Sequence, residues 1–382
     1  MNTRTALLAV TALLAATGVF AADDHAFLGI FAETSSMKMV GMVMPQLPPG
    51  VDLSKMPGMD GMLAMFAPQR KLTVRLWSPG LAPADATAVI APPAGLKQGD
   101  RLNLELYRPK PGQTEDEAGT AGPTQGGEFT IKRYWGSSET VKPGQPQVTT
   151  INWDTLTPEQ KETMRKMQER AKKQSSYFYK PDWTTGYWPT GKQPGVPDKH
   201  TQKVPGLIAK DAALPGSYAL TTNYTGNVTI AVPETVDFLA PIEMDSPKLD
   251  EAPPLDEALL FHWQPIPNAL GLHAQIMGME GMSTLILWSS SEIPVTEFNP
   301  GRDYLQMAEV AARVQSTEFM AGTRQDVAVP AGIFKDCDMV NLSMVGYGTG
   351  TARDDTQPLA RVQTKTTLTI MLGGKKMPRM GP

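Results

Sequence analysis

The stretch KLTVRLW, residues 71–77, alternates apolar and polar side chains and puts Leu72, Val74 and Leu76 on one face. A period of two is the signature of a half-buried strand. The same alternation returns in RLNLELY (101–107) through Leu102, Leu104 and Leu106, in GEFTIKRYW (127–135) and in PQVTTINW (146–153). GSYALTTNYTGNVTIAVP (216–233) reads as a hairpin with TGN at its turn, STLILWSS (283–290) as a strand, and ARVQTKTTLTIML (360–372) as the last strand. Glycine and proline stand at 34 each, many of them between short apolar runs. The expected class is mainly all-β.

Two stretches break this period. TPEQKETMRKMQERAKK (157–173) has Thr157 to cap, Pro158 at the first helical position and Gln160 to close a capping box. Its stripe of Met164, Met167 and Ala171 is thin. DYLQMAEVAARVQ (303–315) has helical spacing through Leu305, Ala308, Val310 and Val314. The 382 residues predict two domains at roughly 100–200 residues each. Each is expected to be β-sandwich-like with one inserted helix. They span 69–240 and 258–372, joined by an acidic, proline-rich linker at 241–257, with a disordered tail at 373–382. Residues 108–126 read as a flexible loop.

The first residues, MNTRTALLAVTALLAATGVFAADDHAF, have the charged start, short apolar run and small-residue site of a secretory signal peptide. Cleavage after Ala21 fits best and predicts a periplasmic or secreted protein. No stretch approaches the roughly 20 apolar residues of a membrane helix. Cys337 is the only cysteine, so an intrachain disulfide is excluded and a buried, inert thiol is expected. Net charge is −4 with both signs interspersed, which argues against nucleic acid as a partner. Residues 22–68 hold 8 of the 22 methionines and the patch MPQLPPG, and read as a flexible, partly disordered segment.

Two resemblances add to this reading. In 259–278, Phe261, Trp263 and Pro265, followed by Ala269, Gly271, Ala274 and Ile276, resemble successive strands of a fibronectin type III domain, with Leu272 at that family's tyrosine position. The resemblance implies a Trp263 buried between two sheets and carries no activity. YWGSSETVKPGQP (134–146), FHWQPIPNALG (261–271) and LWSSSEIP (287–294) resemble a family of uncharacterised exported proteins of Gram-negative bacteria, in which Ser137 is often a cysteine. That resemblance implies export and β-rich domains.

The sharpest candidate site is SKMPGMDGMLAM (54–65), with Met56, Met59, Met62 and Met65 at every third position. Met37, Met39, Met42 and Met44 in MKMVGMVM form a second group. Thioethers are soft ligands that suit Cu(I), so copper is the implied cofactor. Gap-filling by methionine is the plainer alternative, because Pro57, Gly58 and Gly61 rule out a regular helix. A third group, MGMEGM (277–282), reads as a hairpin turn around Gly278 and Gly281, near His273. Were cleavage to follow Ala22, His25 would stand third and offer Cu(II) a square-planar site.

The alternative is glycan or peptidoglycan binding by YFYKPDWTTGYW (177–188), through Tyr179, Trp183, Tyr187 and Trp188. The same rings would serve equally as core, their polar tips reaching partners. An unrecognised hydrolase comes third. The four histidines are scattered, and no His-Glu-x-x-His or Gly-x-Ser-x-Gly motif occurs. SSMK (35–38) lacks the partner motifs of a Ser-x-x-Lys enzyme. The expectation is a non-enzymatic binding protein of the cell envelope.

Overall fold

The alternation at 71–77 is realised as a strand in which Leu72, Val74 and Leu76 are all fully buried. The computed structural model describes residues 25–40, 67–80, 82–107, 128–152, 155, 162, 184–188, 208–295 and 305–374. In chain order the strands begin with β1 (Phe27–Met39), β2 (Gln69–Ser78), β3 (Ala88–Ala91), β4 (Leu102–Asn103), β5 (Glu105–Tyr107) and β6 (Glu128–Trp135). Then come β7 (Gln147–Asn152), β8 (Thr184–Trp188), β9 (Gly216–Thr222), β10 (Val228–Val232), β11 (Met244–Ser246) and β12 (Leu259–Trp263). The last six are β13 (Ala269–Glu280), β14 (Thr284–Ser289), β15 (Met320–Ala321), β16 (Asp326–Val329), β17 (Met339–Arg353) and β18 (Leu359–Gly373). Among the described residues the α-helix α1 (Met307–Gln315) precedes β15. The chain is all-β in class.

An 11-stranded sheet runs β5-β8-β2-β1-β18-β17-β13-β14-β6-β7, with β15 paired to β13 off that path. A 4-stranded sheet (β10-β9-β3-β4) and a 3-stranded one (β11-β12-β16) complete the set among the described residues. Two cores result. In the first, Leu28, Ile30 and Val74 meet Ile90, Tyr218 and Ile230. In the second, Ile276, Leu342 and Ile370 meet Phe261, Trp263 and Val329. Membership changes between Phe238 and Leu239.

Hydrogen bonding does not follow the expected two-domain partition. β1 pairs with β18 and β6 with β14, so the large sheet draws strands from both sides of 241–257. β18 itself gives Ala360 and Val362 to the first core and Leu368, Ile370 and Leu372 to the second. Nor is 241–257 only a linker, since it contains β11, which pairs with β12. The flexible segment read over 22–68 also needs correction, because 27–39 is an interior strand. β1 lies between antiparallel β2 and parallel β18 and is buried continuously from Phe27 to Ala32. A strand covered on both faces shows no alternation, which hid it.

Other expectations resolve locally. RLNLELY divides between β4 and β5, which belong to different sheets. α1 follows the spacing read over 303–315: Val310 is fully buried, and Leu305 and Val314 pack on Phe319, Val345 and Tyr347. The helix read over 157–173 lies outside the described residues except Glu162. Ser137, at the position where the resemblance has cysteine, links elements instead. Its Oγ accepts from Ala328 N at 3.0 Å and Arg324 Nη2 at 3.2 Å, and its N–H donates to Glu292 Oε1 at 3.1 Å.

Candidate functional site

Residues directly opposite one another in a ladder share a sheet face. Met39 stands opposite Met371, Met371 opposite Asn341, and Asn341 opposite Met277. One step further along, Met339 stands opposite Met279. Met37 precedes Met39 by two residues and so points the same way. Met37, Met39, Met277, Met279, Met339 and Met371 therefore occupy one face of four consecutive strands, β1-β18-β17-β13. The opposite face of these strands carries Ile276, Val340, Leu342, Ile370 and Leu372 into the second core.

The methionine face is open to solvent. Met37, Met277 and Met339 are 40%, 44% and 46% exposed, and Met39, Met279 and Met371 are half-buried. The reading of 277–282 as a turn is thus corrected. Met277 and Met279 belong to β13, and the turn is confined to 281–283, with Gly281 at φ 61 and Met282 90% exposed. Met42, Met44, Met56, Met59, Met62 and Met65 lie outside the described residues. The strands flanking them are placed: Val40 N–H donates to Met371 O at 3.1 Å, and Gln69 of β2 stands opposite Ser35. Both ends of the intervening chain are anchored beside the methionine-bearing end of β1.

Gly278 explains how β13 presents its two methionines. A Cβ at this position would sit 2.6 Å from Cys337 Sγ and 2.7 Å from Phe334 Cδ1 on the buried side. Only glycine lets the strand lie this close to the second core. Gly278→Ala is expected to cost about 1–3 kcal/mol through overpacking, read as a lower urea midpoint. Cys337 is fully buried behind the sheet, and burial first, then the charges of Glu280 and Asp336, push its thiol up to about 11. The expected burial is observed, and the thiol lies on the wrong side of the sheet to join the methionines. Among the described residues no three His, Cys, Asp or Glu side chains gather in a way that could hold a metal. A metal on this face would meet thioethers, which select soft ions.

The N-terminal copper reading meets a different arrangement. His25 Nδ1 is hydrogen-bonded to Gln357 Nε2, so the ring nitrogen that a square-planar site would use already has a partner. Among the aromatic candidates, Tyr179 and Trp183 lie outside the described residues. Tyr187 is in β8 opposite Arg75, and Trp188 is half-buried against the first core. SSMK is part of β1, where Ser36 is buried. His262 Nδ1 lies 3.0 Å from Asp245 Oδ2 on an open surface, but Ser246 Oγ donates to Leu260 O at 3.4 Å. Among the described residues Ser246, the hydroxyl next in sequence to Asp245, is not aligned on that pair.

Farther along the methionine face, between β6 and β14, a hollow is lined by Arg133, Trp135, Gln147, Gln275, Leu287 and Ser289, with Pro294 and Val295 at its rim. His273 borders it. Burial first, then the Arg313 charge, lower the imidazole to about 3, so it is neutral at ordinary pH. In the unfolded chain the same ring titrates near ~6.5. The unfolded state therefore binds the extra proton below that pH, and folding stability falls as pH falls from 7 toward 3. From pH 7 to 5 the loss from His273 is about 2 kcal/mol. Urea unfolding at both pH values should show this loss, and His273→Gln should remove it from the pH dependence.

No protein-family model matches the chain, and no curated protein sequence matches it. No described helix is long and apolar enough to cross a membrane.

Proposed function

We propose that this chain is an exported, non-enzymatic binding protein of the cell envelope that holds Cu(I) through methionine thioethers. One observation carries the reading. Two methionine groups far apart in sequence, 37–39 and 277–279, share a single sheet face with Met339 and Met371. Methionines that merely filled gaps would be buried, yet Met37, Met277 and Met339 are each at least 40% exposed. Thioethers are soft ligands that remain usable where thiols oxidise, which fits an exported location. Met42, Met44, Met56, Met59, Met62 and Met65 fall in chain whose two ends are anchored beside this face. The glycan reading draws no support from Trp188, whose ring is partly occupied by the first core.

The test is a Cu(I) competition titration of the chain from Ala22 onward against a colorimetric chelator. The protein is expected to withdraw at least one equivalent of copper, and a variant with Leu at Met37, Met39, Met42, Met44, Met56, Met59, Met62 and Met65 to withdraw less. A wild-type chain that leaves all copper on the chelator would reject the reading.

A further inference from the structure

We infer that Met277, Met279 and Met339 form a soft-metal site of their own, a three-thioether seat for Cu(I) or Ag(I) built on the β13-β17 ladder. This rests on the copper reading and locates a site within it. Met279 and Met339 are direct partners, and Met277 is the next residue of β13 on the same face. Direct partners in an antiparallel ladder have Cα atoms about 4.5–5.5 Å apart, and same-face neighbours along a strand about 7 Å. Three flexible side chains rooted that closely can bring their sulfurs to a common point, and Cu(I) and Ag(I) accept three soft ligands.

The backbone roots of the three side chains are held in the ladder. Asp338 N–H donates to Met279 O at 2.6 Å, which holds the start of β17 to β13 next to Met339. Behind the trio, Gly278 lies against Phe334 and Cys337. The ligand atoms therefore start from a rigid double strand, so little ordering cost is left to metal binding. Met277 and Met339 are 44% and 46% exposed, so an ion reaches the site without opening the fold. Met371 of β18 lies one strand over from Met339, on the diagonal, and two strand spacings, about 10 Å across Asn341, from Met277, with Met39 and Met37 beyond it on β1.

The test uses the chain from Ala22 with ¹³C-methyl methionine and Ag(I) as a redox-stable probe. The first added metal is expected to shift the methyl signals of Met277, Met279 and Met339 together. Leu at these three positions should weaken the tightest binding by about tenfold or more. The single variant Met339→Leu, at an exposed position, should show part of the same loss with an unchanged unfolding midpoint. Leu at Met56, Met59, Met62 and Met65 should leave the tightest binding intact. If the trio variant binds like wild type while the 56–65 variant loses the metal, the trio is wrong and the broader copper reading stands. If the wild-type chain binds no Ag(I), and no Cu(I) in the competition titration, both fall.

Discussion

A chain beginning at Gln69 is expected not to fold. All of β1 is lost in it, and with β1 the parallel ladder Phe27–Met39 to Leu359–Met371 and the antiparallel ladder Phe27–Ser35 to Trp77–Gln69. Phe27, Leu28, Ile30 and Phe31 are between 0% and 5% exposed, and burying each is worth about 1.5–3 kcal/mol. Their sum, about 6–12 kcal/mol, is comparable with the whole stability of an ordinary domain, about 5–15 kcal/mol. The truncation would also leave β2 and β18 with two facing rows of unpaired N–H and C=O groups, a template for aggregation. The expected result is insoluble protein, or soluble protein without a cooperative urea transition. A truncated chain that unfolds cooperatively would overturn the strand order β2-β1-β18. Copper comparisons must accordingly use substitutions, because removing the methionine-rich start removes the centre of the sheet.

The legible and illegible parts of the fold differ in a physical way. Strands with one covered face alternate, and β2, β9, β10 and β14 fall where alternation placed them; β6 and β18 also fall where their sequence alternates, although β18 is buried on both faces from Ala360 to Thr366. β1 runs through the sheet interior and reads FLGIFAETSSMKM, with no period to detect. β17 carries Gly346, Gly348 and Gly350, residues that ordinarily mark turns. At Gly348 a Cβ would lie 2.4 Å from Thr364 Oγ1 and 2.9 Å from Leu239, so glycine there serves close strand packing. Without these two strands the sequence offered no bridge between its halves, and a split near 240 followed. Near that position the packing changes sides, since Phe238 and Leu239 belong to different cores. What composition could not reveal is that β1, β17 and β18 weld the two.

The candidate site was legible as residue type and illegible as place. Met37 and Met39 were recognisable as possible soft ligands, but their neighbours across the sheet were not. Met277 and Met279 lay inside what looked like a glycine turn, and Met339 and Met371 stood singly in the sequence. Alternation was the usable signal. M-G-M at 277–279 and M-K-M at 37–39 place both methionines of each pair on the same side of a strand. Only the register between strands then brings the pairs onto one face, and register depends on long-range pairing that no local pattern encodes.

Trp263→Ala is expected to cost about 3–5 kcal/mol, a large fraction of the total stability. The ring is fully buried on β12, where it belongs to a core shared with Leu272, Ile276, Leu342 and Met344 of the large sheet. Its Nε1 has no hydrogen-bond partner among the described residues, so Trp263→Phe should cost mainly the smaller cavity. Trp288 provides the contrast. It is equally buried, but its Nε1 donates to Gly136 O at 3.1 Å, and Trp288→Phe should add the loss of that bond, about 1 kcal/mol or more. Urea unfolding of the three variants checks the order. Trp263 also backs the strands that bear Met277, Met279 and Met339, since Ile276 and Leu342 are their neighbours on the core side. If Trp263→Ala still folds, a metal site rooted in the rigid ladder should lose affinity with it. Binding that stays constant while the core loosens would place the ligands on chain that does not depend on the sheet.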